Sequence, residues 1–317
     1  MKVLITGITG FIGSELARKL LKDGDFEIAG LLRTSSNQKR VDAIDDIINN
    51  IRVFYANFND HHAIRNVIKT FRPNYILHIG AQTAVRDSFE MPHEFNETNY
   101  LGTINLIHAA LEVADFKKFI FASTMEVYGF QKARKPFRED LPLNPGSPYA
   151  ASKAACEHYL RMANQAFGLP YLISRACNTY GRKHNSGYIV EHIITSMLDR
   201  KKVYIGTPKA VRDLMHVDDH VNAYVTLLKS NVVNETFNFG TGSGLTMLEL
   251  ANIIKKRLGY KDKIIARFPS WYLFRPLAEE YLSIDSLKAK KILGWEPRIS
   301  LDKGLISTIA YWKKVKK

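Results

Sequence analysis

Tyr149 and Lys153 are the side chains of this sequence best suited to acid–base chemistry. They stand four residues apart at the start of a predicted helix that Pro148 opens, so both lie on one helical face. Because a nearby ammonium group favours a phenolate, we expect Lys153 to lower the pKa of Tyr149 and Tyr149 to act as a general base. The pair follows a strand-like run that ends in Ser123 and Thr124, which strengthens this interpretation.

A hydroxyl and a carboxylate flank a methionine in the stretch FASTMEVYG, residues 121–129. The pattern is typical of a buried strand that runs into a loop, and it places Thr124 and Glu126 where the strand ends. Met125 cannot transfer a proton. We interpret it as a core residue that fills a gap, which is the usual role of methionine.

Three glycines lie between the first predicted strand, KVLITG, and the first predicted helix, SELARKLLKDG. Gly7 permits a tight turn, Gly10 lets the backbone approach a pyrophosphate, and Gly13 lets the helix pack close to the strand. The N-terminus of the helix favours an anion. This context predicts a dinucleotide-binding site.

The residues after the second predicted strand, FEIAGLL, bear on the choice of dinucleotide. An NAD-binding protein usually has an acidic residue there, which hydrogen-bonds the 2′-hydroxyl of the adenosine ribose. This sequence has Arg33, Thr34 and Ser35 instead. A cation and hydroxyls suit a 2′-phosphate, so NADP is the predicted cofactor, and NAD stays open as the alternative.

Strand-like and helical segments alternate along the first half of the chain, which predicts an α/β fold with a doubly wound, Rossmann-type parallel sheet. After about residue 180 the alternation breaks down. We therefore predict an NADP-binding domain formed by residues 1–178 and about 213–240. Residues of about 179–212 and 241–317 would form a smaller C-terminal lobe that binds the substrate at the carboxyl ends of the strands.

Composition excludes several classes of protein. The 317 residues carry a formal net charge of +14, but the basic residues are spread along the chain, so we expect no nucleic-acid partner. No apolar run approaches the ~18 residues that span a bilayer, and no membrane association or signal peptide is expected. The two cysteines, Cys156 and Cys177, have no metal-binding spacing, so we predict no metal and a cytoplasmic location.

The chain resembles the extended short-chain dehydrogenase/reductases of the nucleotide-sugar epimerase/dehydratase family, and most of all the 4,6-dehydratases of the GDP-mannose type. The glycine loop, FASTMEVYG and the Tyr149/Lys153 pair carry the resemblance. It continues through RACNTYG at 175–181, RDLMHVDD at 212–219 and KAKKILGWEP at 288–297, in the order typical of the family.

The resemblance implies a role for each matching residue. Tyr149 would deprotonate O4 of the sugar while a hydride leaves C4, Lys153 would hold the nicotinamide ribose, and Thr124 would bond O4. The implied cofactor contacts are Gly7, Gly10, Phe11, Ile12, Gly13, Arg33, Thr34, Ser35, Asn57, Phe58, Gly80, Ala81 and Lys153. The implied contacts to a nucleotide-diphosphate sugar are Gln82, Ser88, Asn99, Asn178, Arg212 and Arg275.

The loop after the catalytic strand separates the reactions known in the family. Dehydratases typically have Glu at position 126, as base for the C5 proton, and many have Asp at 125 as the acid for the C6 hydroxyl. Glu126 therefore predicts a 4,6-dehydratase, although Met125 excludes the version that uses two carboxylates. A 4-epimerase, in which Glu126 is a solvated or salt-bridged carboxylate, and a net 4-keto-sugar reductase or dehydrogenase stay open. Family resemblance also implies a homodimer formed through helices that include 99–114 and 149–167.

Overall fold

The structure is a computed structural model, and it describes residues 1–36, 41–183, 185–268 and 279–316. Its strands are β1 (Lys2–Thr6), β2 (Glu27–Leu32), β3 (Arg52–Tyr55), β4 (Tyr75–His78), β5 (Lys118–Thr124), β6 (Tyr171–Ala176), β7 (Asn178–Tyr180), β8 (Val211–His216), β9 (Glu235–Phe239), β10 (Gly244–Thr246) and β11 (Tyr281–Leu282). Its α-helices are α1 (Phe11–Asp23), α2 (His61–Phe71), α3 (Val85–Glu90), α4 (Pro92–Phe95), α5 (Gly102–Leu111), α6 (Pro148–Phe167), α7 (Ile189–Leu198), α8 (Val217–Lys229), α9 (Met247–Leu258), α10 (Leu287–Leu293) and α11 (Leu301–Val315). None of these helices is both long enough and apolar enough to cross a bilayer.

Seven strands form one parallel sheet in the order β3-β2-β1-β4-β5-β6-β9. The strand order reverses between β1 and β4, so the connections that leave these two strands diverge and open a crevice at their carboxyl ends. This arrangement confirms the predicted Rossmann-type fold. The glycine loop after β1 and the predicted catalytic residues at the end of β5 lie at this same edge of the sheet.

A smaller sheet is built around β8. It pairs with β10 in antiparallel fashion and with β7 and β11 in parallel fashion. The chain then returns to the large sheet through α8 and β9. The small sheet therefore draws on segments on both sides of β9, as the predicted lobe does, while the division into two domains stays a prediction.

Buried side chains form three apolar clusters. Alternate residues of β1 face opposite sides of the large sheet, with Val3 and Ile5 in one cluster and Leu4 in another. The third cluster lies beside the small sheet, where α7, α9 and α11 pack together, and it includes Trp312. The large sheet is thus covered on both faces, as a parallel sheet requires.

The helix predicted over TNYLGTINLIHAALEVA is interrupted. Residues Asn96–Leu101 form a turn of π-helix, and regular α-helix begins only at Gly102. The wider turn leaves the carbonyl of Asn99 to accept hydrogen bonds from the Thr103 hydroxyl and the Cys156 thiol. Such turns are common at functional sites, and this one lies against the catalytic helix α6.

Candidate active site

The end of β5 and the first two turns of α6 bring the predicted catalytic side chains together. Ser147 caps α6 by accepting a hydrogen bond from the backbone of Ala150 at 3.1 Å, which fixes where the helix starts. Tyr149 is hydrogen-bonded to Thr124. One turn later, the Lys153 ammonium donates to the carbonyl of Ala122 at 2.8 Å.

Burial shifts the pKa of both reactive groups toward their neutral forms. Desolvation, reinforced by the Glu126 carboxylate, raises the pKa of Tyr149, and the hydrogen bond with Thr124 opposes the rise only in part. Desolvation lowers the pKa of Lys153 to about 8. The prediction that Lys153 lowers the pKa of Tyr149 is therefore wrong for the protein alone. The reason is that the ammonium points at the Ala122 carbonyl and lies 4.6 Å from the centre of the Phe121 ring.

Glu126 lies in a short 3₁₀ turn, Met125–Tyr128, directly after β5. Its backbone N–H donates to the Thr124 hydroxyl at 3.2 Å, and one of its carboxylate oxygens is shielded from solvent. Met125 is fully buried in the core, which confirms the packing role predicted for it. The chain leaves the turn through Gly129, where a Cβ would stand 1.7 Å from the carbonyl oxygen of Asn144.

The loop after β1 is shaped for a diphosphate. A Cβ at position 13 would stand 2.2 Å from the carbonyl oxygen of Gly7, so only glycine permits this packing of α1. Gly10 precedes α1 and provides no capping side chain, and no acidic residue occupies the first turn, which begins with Phe11 and Ile12. The first N–H groups of α1 thus lack a side-chain cap, as an anion site at a helix N-terminus requires.

The predicted contacts to the adenosine half occupy neighbouring strand ends. Arg33, Thr34 and Ser35 are exposed just after β2. The backbone N–H of Thr34 donates to the Asn57 side chain at 3.3 Å, which ties the end of β2 to the end of β3. Phe58 is buried, and its ring fills the space that a Cβ at Gly80 would occupy, 2.7 Å away. Ala81 follows Gly80 at the end of the β4 connection.

The predicted substrate contacts are only partly available. The structure does not support contact by Asn99, whose side chain is 1% exposed and is hydrogen-bonded to the backbone of Gln82 and to the Ser152 hydroxyl. Neither does it support contact by Ser88, which is fully buried and donates to the carbonyl of Val85. Both therefore shape the loop that presents Gln82.

The remaining substrate positions lie on the small sheet. Asn178 begins β7, and Arg212 lies in β8; both are partly exposed. The Arg212 guanidinium donates to the carbonyls of Val211 and Glu279 at 2.8 and 2.9 Å. Arg275 lies outside the described residues.

Residues 4–308 match the family model described as GDP-mannose 4,6 dehydratase. The chain belongs to this dehydratase family. A dTDP-glucose 4,6-dehydratase of Haemophilus influenzae is 31% identical over 333 residues, which cover 98% of this chain and 98% of that protein.

Solved structures similar to this family member include enzymes of two reaction types. One is a UDP-glucose 4-epimerase of Thermotoga maritima with UDP-glucose, which has a TM-score of 0.92, 31% identity and full coverage of both chains. Another is a dTDP-glucose 4,6-dehydratase of Bacillus anthracis in complex with NAD, with a TM-score of 0.86, 28% identity, and coverage of 99% of this chain and 97% of that one. One architecture therefore serves both reactions, and individual side chains must separate them.

Sequence reasoning missed Arg182 and Tyr188, which contact residues within or next to the predicted site. The Arg182 guanidinium lies between the rings of Phe11 and Tyr188, 4.6 and 3.6 Å from their centres. The Tyr188 hydroxyl is 3.2 Å from that of Thr83. Arg182 and Tyr188 thus reach the glycine loop and the loop after β4, through contacts with residues far apart in sequence that no local pattern indicates.

Proposed function

We propose that this chain is a nucleotide-sugar 4,6-dehydratase, which converts a nucleotide-diphosphate hexose to its 4-keto-6-deoxy product with a nicotinamide dinucleotide regenerated in each turnover. The observation that carries the proposal is the position of Glu126. Glu126 follows Thr124 by two residues in the turn after β5, and its carboxylate acts on the pKa of the Tyr149 phenol, so a potential C5 base lies near the proposed O4 base.

The residues around β5 and α6 supply the proton transfers. Tyr149 takes the proton of O4, to which Thr124 hydrogen-bonds, and Lys153 would hold the nicotinamide ribose. A bound nicotinamide dinucleotide would supply hydride transfer from C4 to C6, and the positive charge of its oxidised ring would favour the Tyr149 phenolate. Glu126 takes the proton at C5, made acidic by the 4-ketone, and passes it to the C6 hydroxyl, which leaves as water. The proton that Tyr149 took from O4 is then available to return to C5, so the product is the substrate less one water.

Replacement of the carboxylate tests this assignment. We expect Glu126→Gln to lower the rate of water loss by about 10²-fold or more, because the amide cannot accept the C5 proton. Reduction of bound dinucleotide in a single turnover should continue, since Tyr149 and Lys153 are untouched. Glu97→Gln, at an exposed carboxylate, is the matched control and should behave as wild type. Normal release of the 4-keto-6-deoxy product by Glu126→Gln would refute the assignment.

The finer part of the proposal is a preference for NADP. It is supported by Arg33, Thr34 and Ser35 at the end of β2, where no carboxylate is available for a 2′-hydroxyl. The similar Bacillus anthracis structure contains NAD, so a preference for NADP would distinguish this chain from that enzyme. We expect NADP to bind more tightly than NAD, and Arg33→Asp to reverse the order. Tighter binding of NAD to the wild-type protein would refute the preference.

A second candidate function is 4-epimerisation, favoured by the likeness to the UDP-glucose 4-epimerase structure. The mass of the product separates the two. Loss of one water from a nucleotide sugar supports the dehydratase, whereas an isomer of unchanged mass supports the epimerase. A net reductase or dehydrogenase would instead consume or accumulate NADPH in proportion to product.

We also propose a homodimer and a cytoplasmic location. Around α5 and α6, Leu101, Met162 and Phe167 are exposed apolar side chains, as expected for a helical interface. Sedimentation of the purified protein would test the dimer. The location is supported by Cys156 and Cys177, which are buried free thiols.

A further inference from the structure

A second group of buried charges lies one turn beyond Lys153 on α6. Glu157 is fully buried, and its carboxylate accepts hydrogen bonds from the Ser123 hydroxyl at 2.6 Å and from Arg175 at 2.7 and 3.0 Å. Arg161, a turn later on the same helix, adds a partly exposed contact at 3.0 Å. Every carboxylate oxygen is thus partnered, which buried charge requires.

Arg175 extends this group toward the catalytic turn. It lies on β6 directly opposite Ser123 of β5 and Asn238 of β9. Its guanidinium donates to the Tyr128 hydroxyl at 2.7 Å, and that hydroxyl donates to Asn238 at 2.8 Å. Tyr128 closes the 3₁₀ turn that contains Glu126. The group therefore joins α6 to the turn as well as to three strands.

Three consecutive residues of β5 each hold one residue of α6. Ala122 accepts from Lys153, Ser123 donates to Glu157, and Thr124 is hydrogen-bonded to Tyr149. The middle contact involves the Glu157 carboxylate, which is fully buried and accepts several hydrogen bonds. This contact therefore fixes the position of α6 along β5. A displacement at Glu157 would move both neighbouring contacts, which are the catalytic ones.

We propose that Glu157 is a positioning residue of this active site: through Ser123 and Arg175 it holds the Lys153 ammonium and the Tyr149 phenol against the end of β5. This inference rests on the proposed function for the roles of Lys153 and Tyr149. Glu157 itself reaches neither cofactor nor substrate, because its carboxylate is enclosed by Ser123, Arg175 and Arg161.

The charge of Glu157 gives the proposal a specific signature. Burial lowers the pKa of Lys153 to about 8, while Cys156 and, to a smaller extent, Glu157 on the same helix raise it. From β4, His78 also interacts with Lys153, but burial keeps that imidazole neutral; β5 contributes only the Phe121 ring and the Ala122 carbonyl. With Glu157 neutral, Lys153 must lose its proton at a lower pH.

The test is a titration of Lys153 in protein labelled with ¹³C at the lysine ε-carbon, where Lys153→Arg identifies the resonance. We expect a wild-type midpoint near pH 8, and in Glu157→Gln a midpoint lower by about one pH unit. We also expect about a tenfold fall in kcat with less than about a twofold change in KM for the sugar nucleotide, because orientation rather than binding is lost.

Arg161→Gln is the matched control, since it removes the exposed partner of the same carboxylate and should leave the midpoint unmoved. If Glu157→Gln leaves Arg175 unpaired and fails to fold, the double variant Glu157→Gln/Arg175→Gln removes both charges and should still show the fall in kcat with little change in KM. A folded Glu157→Gln variant that keeps the wild-type midpoint, or a folded single or double variant that keeps the wild-type kcat, overturns the proposal. If no sugar is dehydrated, the proposed function fails, and the Lys153 titration, which needs no substrate, still decides this inference.

Discussion

Tyr149 and Lys153 on α6 form one pair of buried ionisable side chains, Glu157 on α6 and Arg175 on β6 form another, and the charges of the two pairs are affected in opposite ways. Tyr149 and Lys153 are 8% and 3% exposed, and the pKa of each is shifted toward the neutral form. Glu157 and Arg175 are 0% and 2% exposed, yet the pKa of Glu157 is lowered and that of Arg175 is raised, so both stay charged.

The difference lies in the number of partners. Desolvation acts on all four groups, but Glu157 has hydrogen bonds from Ser123 and two arginines that outweigh it. Lys153 has one backbone carbonyl and an aromatic ring, and Tyr149 has one hydroxyl and an unfavourable carboxylate. The two residues of the proposed chemistry thus have few partners, and the two that join α6 to β6 have many.

The largest effect should come from the pair with few partners. We expect Tyr149→Phe to reduce kcat by about 10³-fold, because the phenyl ring keeps the packing but cannot take the O4 proton. Absorbance of reduced nicotinamide in a single turnover measures the step directly. Tyr260→Phe, at a tyrosine that bonds the Lys201 carbonyl in the small lobe, should have no effect. Comparable rates in both variants would remove Tyr149 from the chemistry.

Removal of one partner from the Glu157–Arg175 pair should lower the stability of the fold. We expect Arg175→Met to lower the free energy of unfolding by about 3–5 kcal/mol at neutral pH, because Glu157 is left as an uncompensated buried charge. Urea denaturation measures this value. A loss below about 1 kcal/mol would mean that the remaining partners, Ser123 and Arg161, suffice.

The pH dependence of that variant should be reversed. In the wild type the lowered pKa of Glu157 adds stability above the ordinary glutamate pKa of 4.5, and this stability is lost as pH falls through the folded value. In Arg175→Met, burial without the guanidinium raises the pKa of Glu157, so protonation at mildly acid pH relieves the unpaired charge. The gap in stability between variant and wild type should therefore narrow from neutral pH toward pH 5. A gap that stays constant would show that packing, not charge, causes the loss.

The smallest effect should come from Arg161, the partly exposed partner of Glu157. Arg161→Met removes a contact in which the arginine side chain is 33% exposed, and we expect a loss of about 0.3–0.5 kcal/mol. Denaturation in low and high salt would measure it, and salt should narrow the difference. A loss equal to that of Arg175→Met would contradict the explanation that Arg175 stabilises the fold more than Arg161 because Arg175 is buried.

Sequence patterns predicted the parts of this site that are local. Gly7, Gly10 and Gly13 are recognisable because a strand, a turn and a helix follow one another directly. Tyr149 and Lys153 are recognisable because they share a helical face. Glu157 continues that face by one more turn, and this spacing was the available signal for the second pair.

The parts that sequence patterns could not predict depend on contacts between distant segments. Asn99 and Ser88 carry polar groups suited to a sugar, and only the fold shows that each is enclosed. The pKa of Tyr149 was predicted to be lowered by Lys153 and is instead raised by burial, because the helical spacing indicates neither that burial nor that the ammonium is directed to Ala122. Arg182 contacts Phe11, which lies more than half the length of the chain earlier in the sequence.

The burial of Met125 limits how this chain could change its chemistry. The two-carboxylate version of water elimination needs an acid at position 125, and a single base change cannot convert a methionine codon to an aspartate codon. Even a direct replacement would place a carboxylate in a fully buried, apolar position, where it would stay protonated or destabilise the fold. Hydrogen-bond partners or water would have to reach position 125 before an acid could be useful there. Other substitutions would therefore have to precede the introduction of an acid at 125.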